Sequence, residues 1–223
     1  MRLYIIFFLL FVIKAFNINN FIYHAKLCKL TYRKNNTFII IHKNNSLNIC
    51  FRGTKNLNDL YLNFNIIPQS FLKKEIKVHK GFLCKYLSIR DKVINKTKEI
   101  ISNNNIEDIY ISGHSSGGAI ANIASLDLYY LYPNIRINTI TFGSPRVANK
   151  AFIDEYNKNI NNSIRIVNKY DIIQYLPLSF PLPIIYHHIH KPLILWDNVK
   201  KINIIYNHEI KTYIKNLIIF NIG

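Results

Sequence analysis

Apolar residues in this chain fall into short runs parted by Asn- and Lys-rich gaps, and their spacing alternates between two and three-to-four residues. Strand-like runs occur at Thr37–His42 and Leu47–Phe51, joined by a polar turn at Lys43–Ser46. Further strands are expected at Asp108–Ile111, Ile135–Phe142, Ile164–Val167 and Leu193–Trp196. Helical spacing covers Phe21–Thr31, Phe82–Ile101, Ser116–Tyr132, Lys150–Lys158 and His208–Asn216, and Pro133 stops the third of these. Thr54–Lys77 is mixed, and Leu176–Pro192, rich in Pro and His, reads as loop. Strands alternating with helices predict an α/β fold: a mainly parallel sheet covered on both faces.

The N-terminus departs from this alternation. Arg2 precedes an unbroken apolar run, Leu3–Ile13, which suits a secretory h-region better than a bilayer span. Residues 1–16 are therefore expected to be a signal peptide, or a retained N-terminal membrane anchor, ahead of a single domain over residues 17–223. A buried first strand is the alternative reading of the run. At 223 residues, 49% hydrophobic, the chain is large enough for one substantial core. The net charge of +17 favours anionic partners, yet no dense basic block and no nucleic-acid motif is present. Nucleic acid is thus not expected as a partner; the charge reads first as a compositional bias towards Lys, with a lipid–water interface or anionic membrane surface as the alternative reading. Cys28, Cys50 and Cys84 are odd in number, and no pairing follows from their spacing.

Chemistry enters at Gly113-His114-Ser115-Ser116-Gly117, which fits G-x-S-x-G between an apolar strand and an apolar helix. The flanking glycines leave room for the sharp turn that exposes a nucleophilic serine. Serine needs a base, and the base an orienting carboxylate, in the chain order Ser, acid, His for this arrangement. Of the later acids, Asp127 lies inside a helix, and Asp154 and Glu155 lie on an expected surface helix. Asp171 follows the strand Ile164–Val167, where parallel sheets place site residues. His187, His188 and His190 cluster near prolines without Cys or carboxylate partners at ligand spacing, so no metal site is expected. His208 stands apart from them, before the terminal helix, and is the candidate base.

These residues belong to a wider set of blocks: Phe51-Arg52-Gly53-Thr54, Val78-His79-Lys80-Gly81-Phe82, the Ser115 segment through Ala119, Phe142–Val147, Arg165–Pro177 and Asn207-His208. In this order they resemble the class 3 (fungal-type) lipases. Six of the seven glycines fall inside the blocks. The resemblance implies an α/β-hydrolase (lipase-like) fold with Ser115, Asp171 and His208 as triad. It implies oxyanion donors at Thr54 and at the backbone N–H of Ser116, and no cofactor. A lid-like segment around residues 55–72 would place Leu60, Tyr61, Phe64 and Ile67 against substrate. The implied activity is hydrolysis of triacylglycerol-type lipid esters by a secreted enzyme. Phospholipase A1, a soluble carboxylesterase and a catalytically inactive membrane-binding relative stay open. Departures are Ser116 where the family commonly has Leu, Leu60 for a usual Trp, Asn63 for a usual Asp, and Pro192 and Ile194 for a Gly and a Glu.

Overall fold

The computed structural model describes residues 18–54, 67–177, 186–190, 192–196 and 203–222. The N-terminal apolar run and the lid positions Leu60, Tyr61 and Phe64 lie outside these residues.

A six-stranded sheet has the order β1-β2-β5-β6-β7-β8. Strand β1 (Phe38–Lys43) pairs antiparallel with β2 (Ser46–Phe51) through the expected tight turn. Strands β2, β5 (Asp108–His114), β6 (Arg136–Phe142), β7 (Asn162–Asn168) and β8 (Pro192–Leu195) run parallel. Two short strands, β3 (Pro68–Phe71) and β4 (Lys73–His79), form a separate antiparallel pair in the stretch whose sequence reads as mixed. Only Phe71, Ile76, Val78 and His79 of this pair are buried, and a register shift interrupts it between Ser70 and Phe71. Such a lysine-rich ribbon has too little alternation to announce itself.

The interior strands are apolar on both faces because both faces are covered. Leu47, Ile49, Phe51, Ile109 and Ile111 pack towards α2 (Lys80–Asn103), α3 (Ser116–Leu131) and α4 (Lys150–Asn159). Cys50, Ile140, Phe142, Ile164 and Ile166 pack towards α1 (Ile18–Arg33) and α6 (Ile210–Ile222). In α1 the buried Phe21, His24, Ala25, Cys28 and Thr31 follow the three-and-four spacing of one helical face. Burying a large apolar side chain contributes roughly 1.5–3 kcal/mol, so these two clusters dominate the packing energy.

Helix α3 is buried along Ser116–Leu128, because Gly117, Gly118, Ala119, Ala121 and Ala124 let it lie close to the strands. Its Asp127 is 1% exposed and accepts from Tyr86 Oη at 2.6 Å and from Arg90 Nε at 2.6 Å. That carboxylate therefore holds α2 to α3 and is not available for chemistry. A five-residue helix, α5 (Ile204–His208), precedes α6 and is capped by Asn203, whose Oδ1 accepts from Tyr206 N–H at 3.0 Å. His208 is the last residue of α5 rather than the start of the terminal helix.

Candidate active site

Ser115 sits between β5 and α3 with φ 58° and ψ −132°, a left-handed backbone that L residues adopt only at a cost of about 1–3 kcal/mol. Two contacts hold it there. Its N–H donates to Phe142 O on the neighbouring strand at 2.9 Å. The glycines on either side permit the close approach: a Cβ on Gly113 would collide with the Gly117 carbonyl, and one on Gly117 with the Phe51 carbonyl. The strained turn is thus over-determined by the packing of α3 against β2 and β5.

Asp171 follows β7 and is fully buried. Its Oδ2 lies 2.8 Å from His208 Nδ1. Against a carboxylate that nitrogen carries the proton, which leaves Nε2 as an acceptor. His208 is 2% exposed. Its Nε2 and Ser115 Oγ are both buried without a hydrogen-bond partner, so neither atom is committed elsewhere. Asp171 is held by two further donors: Tyr213 Oη–H to Oδ2 at 2.6 Å, and Ile173 N–H to Oδ1 at 2.9 Å. Tyr213 Oη in turn accepts from Asn168 N–H at 3.1 Å. Burial, and next the adjacent Asp171 charge, push the Tyr213 phenol well above its ordinary value, so it stays a neutral donor.

A second chain of contacts secures His208 from behind. His114, the residue before Ser115, places Nε2 2.6 Å from the carbonyl oxygen of His208 and Nδ1 2.9 Å from Tyr32 Oη. Burial, then the neighbouring His208, lowers the His114 pKa well below the usual histidine value. Neutral His114 therefore donates one N–H to that carbonyl and accepts from Tyr32. Asn168 Nδ2 donates to Asn207 O at 2.8 Å and fixes the residue before the base. The sequence reading missed Tyr213, Tyr32, His114 and Asn168 as supports. No spacing rule marks them, since each acts across the fold.

Gly143 has φ 54°, and a Cβ there would lie 2.6 Å from Asp171 Oδ2 and 2.9 Å from Tyr213 Oη. Only glycine leaves the carboxylate its place.

Thr54, the expected oxyanion donor, has both its amide and its hydroxyl engaged. Thr54 N–H donates to Ser116 Oγ at 2.9 Å, and Thr54 Oγ1 lies 2.9 Å from the same oxygen. Lys85 Nζ donates to Thr54 Oγ1 at 3.3 Å. Serine in place of the family's usual Leu thus provides an acceptor that engages the Thr54 amide in this state. Ile67, the one of the four named lid candidates within the described residues, is 57% exposed, and its carbonyl accepts from Lys80 N–H at 3.0 Å.

The remaining candidates separate. Asp154 pairs with Lys150 and Glu155 with Lys73, both on the surface, and Asp197 lies outside the described residues. His188 Nε2 contacts Gln174 O at 2.6 Å, and burial lowers its pKa to about 3. Among the described residues no group of three His, Cys, Asp or Glu side chains gathers as a metal site would require. Cys28 and Cys50 are buried free thiols with their sulfurs 3.4 Å apart, and Cys84 is exposed.

A serine on a strand-to-helix elbow of a parallel sheet, together with a buried His–Asp pair, fits the α/β-hydrolase arrangement. Residues 48–180 match the family model described as Lipase (class 3), and the chain belongs to that family. A lipase of Rhizomucor miehei is 30% identical over 136 residues, which cover 58% of this chain and 37% of that protein. The secreted mono- and diacylglycerol lipase A of Penicillium camembertii is 27% identical over 139 residues, 61% of this chain and 45% of that one. The chain therefore spans less than half the length of these relatives. A deletion mutant of the Rhizomucor miehei lipase, solved in complex with its propeptide, shares the fold: TM-score 0.71, 23% identity, 81% of this chain and 67% of that one.

Proposed function

We propose that this protein is a serine hydrolase that cleaves carboxylic ester bonds of acylglycerol-type lipids through an acyl-enzyme. The observation that carries the reading is the buried Asp171–His208 contact of 2.8 Å beside a nucleophile elbow at Ser115. Ser115 Oγ attacks the ester carbonyl while His208 Nε2 takes its proton. Asp171 holds the imidazole in the productive tautomer and stabilises the imidazolium that forms. Charge developing on the carbonyl oxygen is met by the backbone N–H groups of Thr54 and Ser116. Each such donor contributes about 3 kcal/mol to the transition state. For Thr54 to serve, its amide must exchange Ser116 Oγ for the oxyanion. His208 then protonates the departing alcohol, and water, activated by the same base, releases the acid.

The lipid class is supported by family membership and by the relatives named as lipases. Export is part of the proposal: the apolar run Leu3–Ile13 and the secreted Penicillium relative support it. So is a lid carrying Leu60, Tyr61, Phe64 and Ile67, which would open at a lipid–water interface. Activity on phospholipid is the second reading, favoured by the +17 charge. The deciding experiment is turnover by the purified chain of a short soluble ester, triacylglycerol emulsion and phospholipid vesicles. Hydrolysis of at least one, abolished by Ser115→Ala, is expected. Hydrolysis of none, or full activity in the variant, overturns the proposal.

A further inference from the structure

A pocket of about 310 Å3 opens beside the site, with Thr54 and His208 in its wall. Its remaining wall comes mainly from α1, α5 and the start of α6, and carries Lys29, Arg33 and Lys211 against a single acid, Glu209. Among the described residues, none of the three cations lies within ion-pair distance of any carboxylate. Three like charges around one cavity repel each other, and an anion seated among them would relieve that repulsion. The cluster falls where the proposed reaction sets down its leaving group.

His208 must hand its proton to the departing alcohol, so the alcohol part of the ester lies on the His208 side of the scissile bond. A group attached to that alcohol enters the space bounded by Lys29, Arg33 and Lys211. We propose that this pocket is a subsite for a phosphate carried on the leaving alcohol, which makes phosphate-bearing glycerolipid esters the preferred substrates. The inference rests on the ester-hydrolase reading and adds the substrate class. Charge-assisted hydrogen bonds from guanidinium and ammonium groups to phosphate are the strong ones, and a partly enclosed pocket weakens their competition with water. Glu209 leaves the wall with a net positive charge and disfavours a second cation in the substrate, as a choline-type head group would carry.

The test compares lysophosphatidic acid with the monoacylglycerol of the same chain, both below their aggregation concentrations, so that a surface effect does not enter. Wild type is expected to show a kcat/KM ratio of about ten-fold or more in favour of the phosphate ester. The triple variant Lys29→Gln/Arg33→Gln/Lys211→Gln is expected to bring that ratio to within about two-fold of unity, through KM rather than kcat. A control triple, Lys92→Gln/Lys98→Gln/Lys158→Gln, removes the same charge from exposed helix positions and should leave the ratio within about two-fold of wild type. Glycerophosphate should inhibit competitively where glycerol does not. No preference in wild type, or an equal loss in the control triple, overturns the subsite. If neither ester is cleaved, turnover of a short soluble ester decides the hydrolase reading separately. The subsite is then judged by calorimetric binding of lysophosphatidic acid to Ser115→Ala: binding lost with the three pocket charges upholds it, binding unchanged refutes it.

Discussion

Replacing Tyr213 by Phe removes a single oxygen from behind the proposed base and two hydrogen bonds with it. The phenol donates to Asp171 Oδ2 at 2.6 Å and accepts from Asn168 N–H at 3.1 Å, and Tyr213, Asp171 and Asn168 are all buried. The bond to a carboxylate contributes about 1.5–3 kcal/mol, and an amide left buried without an acceptor costs about 1–3 kcal/mol. These effects share one oxygen and overlap, so Tyr213→Phe should lower the unfolding free energy by about 2–4 kcal/mol. Asp171 keeps His208 Nδ1 at 2.8 Å and Ile173 N–H at 2.9 Å, so the base stays oriented, though less rigidly. We expect kcat/KM on a short soluble ester to fall by about ten-fold, well short of the loss in Ser115→Ala. Urea unfolding and steady-state kinetics on the same preparation read both numbers. Unchanged stability and activity would refute the contacts. A loss equal to that of Ser115→Ala would make the phenol part of the reaction instead of a support for it.

Gly143→Ala puts a methyl group 2.6 Å from Asp171 Oδ2 on a backbone with φ 54°, so initial-rate assays should show a large loss of kcat and denaturant titration a cost above the roughly 1–2 kcal/mol of the backbone alone. Burial lowers the His24 pKa from 6.5 to about 3, so the unfolded chain binds the extra proton and stability falls as pH drops below about 6.5. The slope from this one group is at most about 1.4 kcal/mol per pH unit, and urea titrations at pH about 7 and about 5 should show a smaller drop in His24→Gln than in wild type. Iodoacetamide on the native, reduced protein should label Cys84 but not the buried Cys28 and Cys50, as peptide mapping will show. Labelling of Cys28 or Cys50 at the same rate would mean that α1 is not docked on β2 as described.

The parts of this protein legible in its sequence are those governed by local rules. The β1–β2 hairpin, the parallel strands and the elbow all lie in segments where apolar spacing or a glycine pair speaks for the backbone on its own. Asp171 and His208, read in the sequence from chain order and strand ends, meet in a buried contact of 2.8 Å. What was illegible depends on contacts far apart in the chain. Tyr213 meets Asp171 and Tyr32 meets His114 only once α6 and α1 cover one face of the sheet, and Ser116 Oγ meets Thr54 only where the start of α3 packs against the end of β2. The β3–β4 ribbon was hidden for another reason, since only Phe71, Ile76, Val78 and His79 of it are buried, too few to mark a strand period over both segments. Asp127 reads in sequence as one more helical acid, and only its contacts with Tyr86 and Arg90 reveal a buried structural carboxylate.

The central claim is that Ser115 is a nucleophile activated by His208. The most direct measurement is intact-mass and peptide analysis of the purified protein after treatment with a serine-directed alkyl phosphonate. The account predicts one adduct per chain, on Ser115, absent in Ser115→Ala and formed far more slowly in His208→Ala. Adducts on another residue, or labelling of Ser115 at the wild-type rate without His208, would contradict it.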